Sequence, residues 1–220
     1  MSETKKPGNQ SEQEKNQGLT EAERKRLVRF EALSALMAEK GYRRVDLTIG
    51  MGKATVFSVV LLIPLLIIGF GLFMLLNRGE MHSFEPMHFL VFLAVFLVLT
   101  AVHELIHGVS WAIFSAHHWK DIDFGIMRKS LTPYCTCCVP LTKGQYIFGA
   151  MMPLLILGII PMIAGIVSGS MLVLLLGILM ADGAAGDIMI VWNFLRYKSQ
   201  AKDIVYMDHP TQAGSVVFEK

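Results

Sequence analysis

Four stretches of the chain are apolar almost without interruption: about 54–76, 88–116, 145–167 and 171–195. Each is long enough, at roughly 20 residues, for a helix to cross the hydrocarbon core of a bilayer. The pattern predicts an all-α integral membrane fold with about four transmembrane helices in a lipid bilayer. Between the second and third stretches, Ile122, Phe124 and Ile126 alternate with Asp121, Asp123 and Gly125. That is the period of a strand. A second extended piece from Tyr134 to Val139 would complete a short β-hairpin in a cytosolic loop, where Pro133 and Pro140 exclude a helix. Ser168-Gly169-Ser170 is so short a connection that the third and fourth spans should form a helical hairpin.

Ahead of the first apolar run the pattern changes twice. Residues 1–18 are polar and predict a disordered tail. Residues 19–53 predict a cytosolic amphipathic helix and a pre-membrane segment. Thr20 and Glu23 form a capping box, Leu27, Phe30, Leu33, Leu36 and Met37 form an apolar stripe, and Gly41 ends it. Its basic polar face suits either a membrane surface or packing against the domain. Residues 54–195 are expected to form the membrane domain, and 196–220 a cytosolic C-terminal tail.

Charge orients the chain. Of the 20 Lys and Arg, 11 precede the first span, four lie in the 117–144 loop and four follow the last span; Arg78 alone falls in the 77–87 loop. The positive-inside rule then places both termini in the cytoplasm of a multi-pass cell-membrane protein. A net charge of +2 gives no reason to expect a nucleic-acid partner. Cys135, Cys137 and Cys138 share the cytosolic loop, so free thiols are expected. Their C-x-C-C spacing lacks the paired knuckles of a structural zinc site.

The chemistry sits in the second span, where His103-Glu104-Leu105-Ile106-His107 reads as His-Glu-x-x-His. On a helix, i and i+4 lie about 40° apart, so both imidazoles can reach one zinc ion (one per chain). Ionisable groups inside a span cost roughly 2.5–3.5 kcal/mol each on insertion scales, and a bound cation offsets that cost. Glu104 is then the general base that takes a proton from a zinc-activated water. A catalytic zinc needs a third protein ligand, and the candidates are Asp182 and Asp187. At about 140° apart on one helix they cannot both face one ion, and depth does not separate them. Asn193 is a weak candidate for an oxyanion donor, and His117 and His118 are expected at the interface. Asp208-His209-Pro210 reads as a turn. The expected activity is peptide hydrolysis on a membrane protein or peptide near the cytosolic face. The alternatives are a non-catalytic metal-binding regulator or scaffold, and a small ion transporter. Two imidazoles and a carboxylate also suit iron(II).

HELIHG, the FGI and TPYCTC of the following loop, Tyr146, Pro153, GAAGDI and DHPTQAG occur in that order. Over about residues 45–217 the chain resembles a bacterial membrane family of unknown function, described as zincin peptidases. The resemblance implies a multi-span helical fold with a zinc-peptidase core, and makes Asp187 of GAAGDI the matching acidic position. The chain is also distantly similar to site-2 proteases, whose Asp-Gly dipeptide resembles Asp182-Gly183. It departs from their Asn-x-x-Pro motif, since Ala150 stands three residues before Pro153.

Overall fold

The computed structural model describes residues 19–77, 86–127 and 132–220. The expectation for residues 1–18 lies outside the described residues.

Three helical runs are long and apolar enough to cross a membrane, and a bent pair makes a possible fourth. Helix α1 (Glu21–Glu39) and strand β1 (Arg43–Thr48) precede them. The first long helix is α2 (Met51–Leu76) and the second is α3 (Pro86–Ala112). A hairpin of β2 (Ile122–Met127) and β3 (Thr132–Cys137) follows. The third run is continuous from Lys143 to Ser168. It comprises α4 (Lys143–Pro153), a π-helical segment (Leu154–Ile159) and α5 (Ile160–Ser168). Two shorter helices, α6 (Met171–Gly183) and α7 (Ala185–Arg196), meet at a 44° bend. The chain ends in β4 (Ile204–Asp208) and β5 (Gly214–Glu219).

The fold is therefore mostly helical and not all-α. Residues 204–219 are two strands where the apolar-run pattern gave only a tail. β5 is central, antiparallel to β1 from Arg43↔Glu219 to Thr48↔Gly214, and antiparallel to β4 on its other side. Val216, Val217 and Phe218 are buried there. A strand that short is stable only when sandwiched, and its partner β1 lies more than 160 residues earlier, which no local pattern announces.

Helix α1 starts as expected: Thr20 Oγ1 accepts from the Glu23 N–H at 3.2 Å, and Glu23 Oε2 accepts from the Thr20 N–H at 2.6 Å. Gly41 ends it at φ +86°. Of the stripe, Phe30 and Met37 pack against Met207, Val216 and Phe218, while Leu36 is exposed. The helix thus docks on the sheet.

Helix α3 stops at Ala112 and not near residue 116. Ser115 and Phe114 N–H groups turn back onto the Trp111 carbonyl, and the His118 ring donates to the Ala112 carbonyl at 2.9 Å. These bonds close the helix end. The third and fourth runs pack tightly. A Cβ on Gly177 would lie 2.4 Å from the Met162 nitrogen, and one on Gly158 would lie 2.9 Å from the Ala181 Cα. Small residues let helix backbones approach this closely in an apolar medium. Helix α2 contributes Phe73, buried with Ile166, Leu174 and Ile178, and otherwise exposes apolar side chains such as Val56, Ile67 and Leu75.

Candidate metal centre

His103 and His107 lie on one face of α3, one turn apart, and both are buried. Asp187 reaches them from the first turn of α7, where the partial positive charge of a helix start favours a carboxylate. His107 Nε2 lies 3.2 Å from His103 Nε2 and 3.4 Å from Asp187 Oδ1; His103 Nε2 lies 3.3 Å from Asp187 Oδ2. Among the described residues these three form the group able to hold a metal ion.

The donor set fits zinc in two respects. First, with bonds of about 2.0–2.1 Å at tetrahedral angles, neighbouring ligand atoms stand about 3.3–3.4 Å apart. The observed separations have that size. Second, His107 Nδ1 donates to the Gly149 carbonyl at 2.9 Å. In the neutral ring, Nε2 therefore presents a lone pair towards His103 Nε2 and Asp187, where a cation can accept it.

Neighbouring groups fix the His107 ring. Its face stacks on Trp111, with centroids 5.0 Å apart and planes 11° apart. Trp111 Nε1 donates to the Tyr146 carbonyl at 3.1 Å. A Cβ on Gly149 would lie 2.0 Å from the Trp111 indole nitrogen, so only glycine admits this approach of α4 to α3. Such supporting contacts orient ligands and tune affinity.

A cavity of ≈ 250 Å³ opens from the three ligand atoms. Glu104 lines it, as does Cys135 of β3. Two residues along β3, the Cys137 N–H donates to Asp208 Oδ2 at 2.8 Å, and Asp208 Oδ1 accepts from the Tyr146 hydroxyl. Burial pushes Asp208 up to about 6, against the pull of these hydrogen bonds.

The other candidates fall elsewhere. Asp182 is the last acid of α6, and its Oδ2 accepts from Ser58 Oγ of α2 at 2.8 Å. Its Oδ1 is buried without a hydrogen-bond partner among the described residues. Asn193 is not among the cavity-lining residues. His117 pairs with Asp121 at 3.3 Å, outside the centre. The Cys138 thiol meets Asp123 Oδ2 at 3.2 Å, and burial pushes the Cys137 thiol up to about 12. None of the three cysteines belongs to a metal-holding group among the described residues. Sequence reasoning missed Trp111, Gly149 and Arg26. It read Asp208 only as a turn residue and gave Tyr146 no role, although both stand in motifs of the family resemblance.

A buried His-Glu-x-x-His helix with a carboxylate from a second helix is the ligand arrangement of a zincin-type site. Residues 96–202 match the model of a family described as "Putative zincin peptidase". No curated protein and no solved structure matches the chain. The matched segment carries His103, Glu104, His107, the β2–β3 hairpin and Asp187, and ends before β4. The zincin description implies a metallopeptidase that uses zinc.

Proposed function

We propose that the chain is a membrane-embedded zinc metallopeptidase that hydrolyses peptide bonds of membrane-associated substrates near the cytosolic face. The observation that carries this reading is the convergence of His103 Nε2, His107 Nε2 and the Asp187 carboxylate beside the Glu104 carboxylate in one cavity. A zinc ion held by those three side chains supplies Lewis acidity, polarising a scissile carbonyl and lowering the pKa of water.

The chain's own groups do the rest. Gly149 and Trp111 hold the His107 ring in the tautomer that leaves Nε2 free. Glu104 takes a proton from water and returns it to the leaving amine nitrogen. β3 forms one wall of that cavity, beside which an extended substrate backbone can lie.

The sheet supports four crossings. β1 precedes the first long helix and β5 follows the last, yet they pair over six residues. Paired strands lie on one side of a membrane, so the number of crossings between them is even. Three crossings fail that condition, which favours reading the bent pair α6–α7 as a fourth. The Lys and Arg distribution favours the cytosolic side for the sheet and for residues 19–53.

The test is zinc content of detergent-purified protein by elemental mass spectrometry, paired with the Glu104→Gln variant. About one zinc per chain, with cleavage or cellular function lost in Glu104→Gln while the metal stays, is the expected result. A Glu104→Gln protein that keeps its cellular role replaces hydrolysis by metal-dependent regulation. Wild type that binds no metal removes the enzyme reading.

A further inference from the structure

Arg26 is the one residue of α1 whose charged head is buried, at 7% exposure. Its Nε donates to the Pro210 carbonyl at 2.7 Å and its Nη1 to Thr136 Oγ1 at 3.4 Å. Its guanidinium also lies 4.3 Å from the centre of the Tyr134 ring. Pro210 belongs to the turn between β4 and β5, and Thr136 and Tyr134 belong to β3. With Glu23 and Arg26 of α1, these residues line the cavity that leads to the metal ligands. Arg26 therefore ties α1 to β3 and to the β4–β5 turn at the cavity.

Helix α1 buries few of its side chains, and its ion pairs to Asp123 of β2 and Arg44 of β1 are at the surface. Only Arg26, Phe30 and Met37 of its 19 residues are buried. An element with so few buried contacts opens at a small fraction of the global unfolding free energy. Arg26 holds its neighbours by two hydrogen bonds, to a carbonyl and to a hydroxyl, with the Asp208 carboxylate acting on it at longer range.

Resting on the metallopeptidase reading, we propose that α1 is a strap that closes the metal cavity, with Arg26 as its latch, and that substrate reaches Glu104 only when the strap lifts. The strap regulates access and leaves the ligand set untouched. It lies outside the segment that matches the zincin family.

Two readouts test this on the full chain, one of them independent of metal. Cys135 lines the cavity, so its alkylation by a small maleimide reports the opening. It is measured in a background of Cys137→Ser and Cys138→Ser, which leaves one thiol. The expected result is at least about tenfold faster labelling in Arg26→Ala than with Arg26 intact. Arg26→Lys, which keeps the charge but cannot make both hydrogen bonds, should fall between. Phe30→Ala, which loosens α1 away from the cavity, should also accelerate labelling, and the double variant should be no faster than the faster single one. Zinc exchange against a chromogenic chelator is the second readout: uptake and release should both quicken in Arg26→Ala with the dissociation constant unchanged. Labelling within twofold of that with Arg26 intact overturns the strap. So does faster exchange accompanied by weaker zinc binding, which indicates damage to the site. Absence of zinc from wild type refutes the metallopeptidase reading, and the labelling result still decides whether α1 closes the cavity.

Discussion

Asp187 and Asp182 stand five residues apart in an apolar segment, and their surroundings differ entirely. Asp187 faces two imidazoles, 3.3 and 3.4 Å away on α3. Asp182 faces a serine hydroxyl on α2 and leaves one oxygen unpartnered among the described residues. The difference arises at Ala184, where the helix breaks and α7 sets off at 44° to α6. Asp187 thereby starts a new helix, while Asp182 ends the old one. Acidity alone does not bring a carboxylate to the histidine pair; the direction in which the backbone delivers it does.

The comparison breaks most plainly on metal content. Asp187→Ala should empty the site, whereas Asp182→Ala should keep about one zinc per chain; the reverse pattern in elemental analysis would assign the ligand to Asp182. Next in size, Glu104→Gln should retain zinc and lower the rate of peptide cleavage by about 10²–10⁴-fold, the usual contribution of a general base. Gly149→Ala forces its methyl into the Trp111 indole and so tilts the His107 ring. Zinc affinity should fall about 10–100-fold, as for other groups that orient ligands, and chelator competition reads it directly. Asp182→Asn and Ser58→Ala touch only an interhelical hydrogen bond, so each should change stability by about 1 kcal/mol or less with zinc unchanged.

The smallest effect lies at the rim of the cavity. His209 Nδ1 accepts from the N–H groups of Gln212 at 3.1 Å and Thr211 at 3.3 Å, which requires that nitrogen to be unprotonated. Burial pushes its pKa below the ordinary value of 6.5. The unfolded chain then binds the proton first, so this contribution is present above pH 6.5 and is lost as pH falls below it. Asp208, pushed up to about 6, works in the opposite sense, because its folded form takes up a proton before the unfolded one. The measurement is therefore the difference between wild type and His209→Asn. Wild type should lose more thermal stability than the variant between pH 7 and pH 5.

Much of this architecture is legible in the residues. Continuous apolar runs mark the long helices because a bilayer demands length and uniformity. His103 to His107 reads directly because the helical repeat brings i and i+4 together. Alternation at Ile122, Phe124 and Ile126 marks the hairpin, and β2 pairs with β3 from Ile122↔Cys137 to Met127↔Thr132. The third ligand stays ambiguous because a straight helix was projected through Ala184, and no helical wheel survives a break. The terminal sheet is invisible because its partners are far apart in sequence. Arg26 hides within a basic helix face, where nothing distinguishes a buried guanidinium from its exposed neighbours Arg24 and Lys25.

The pairing of β1 with β5 also sets a timetable for biosynthesis. β5 is the middle strand, and it emerges from the ribosome after every apolar helix has been made. The nascent chain can therefore thread its helices and gather His103, His107 and Asp187 while β1 still has nothing to bind. Phe30 of α1 packs on Phe218, so α1 too gains its seat only once β5 has been made. In the order of synthesis, the residues of the proposed metal site precede the strand on which its cover docks.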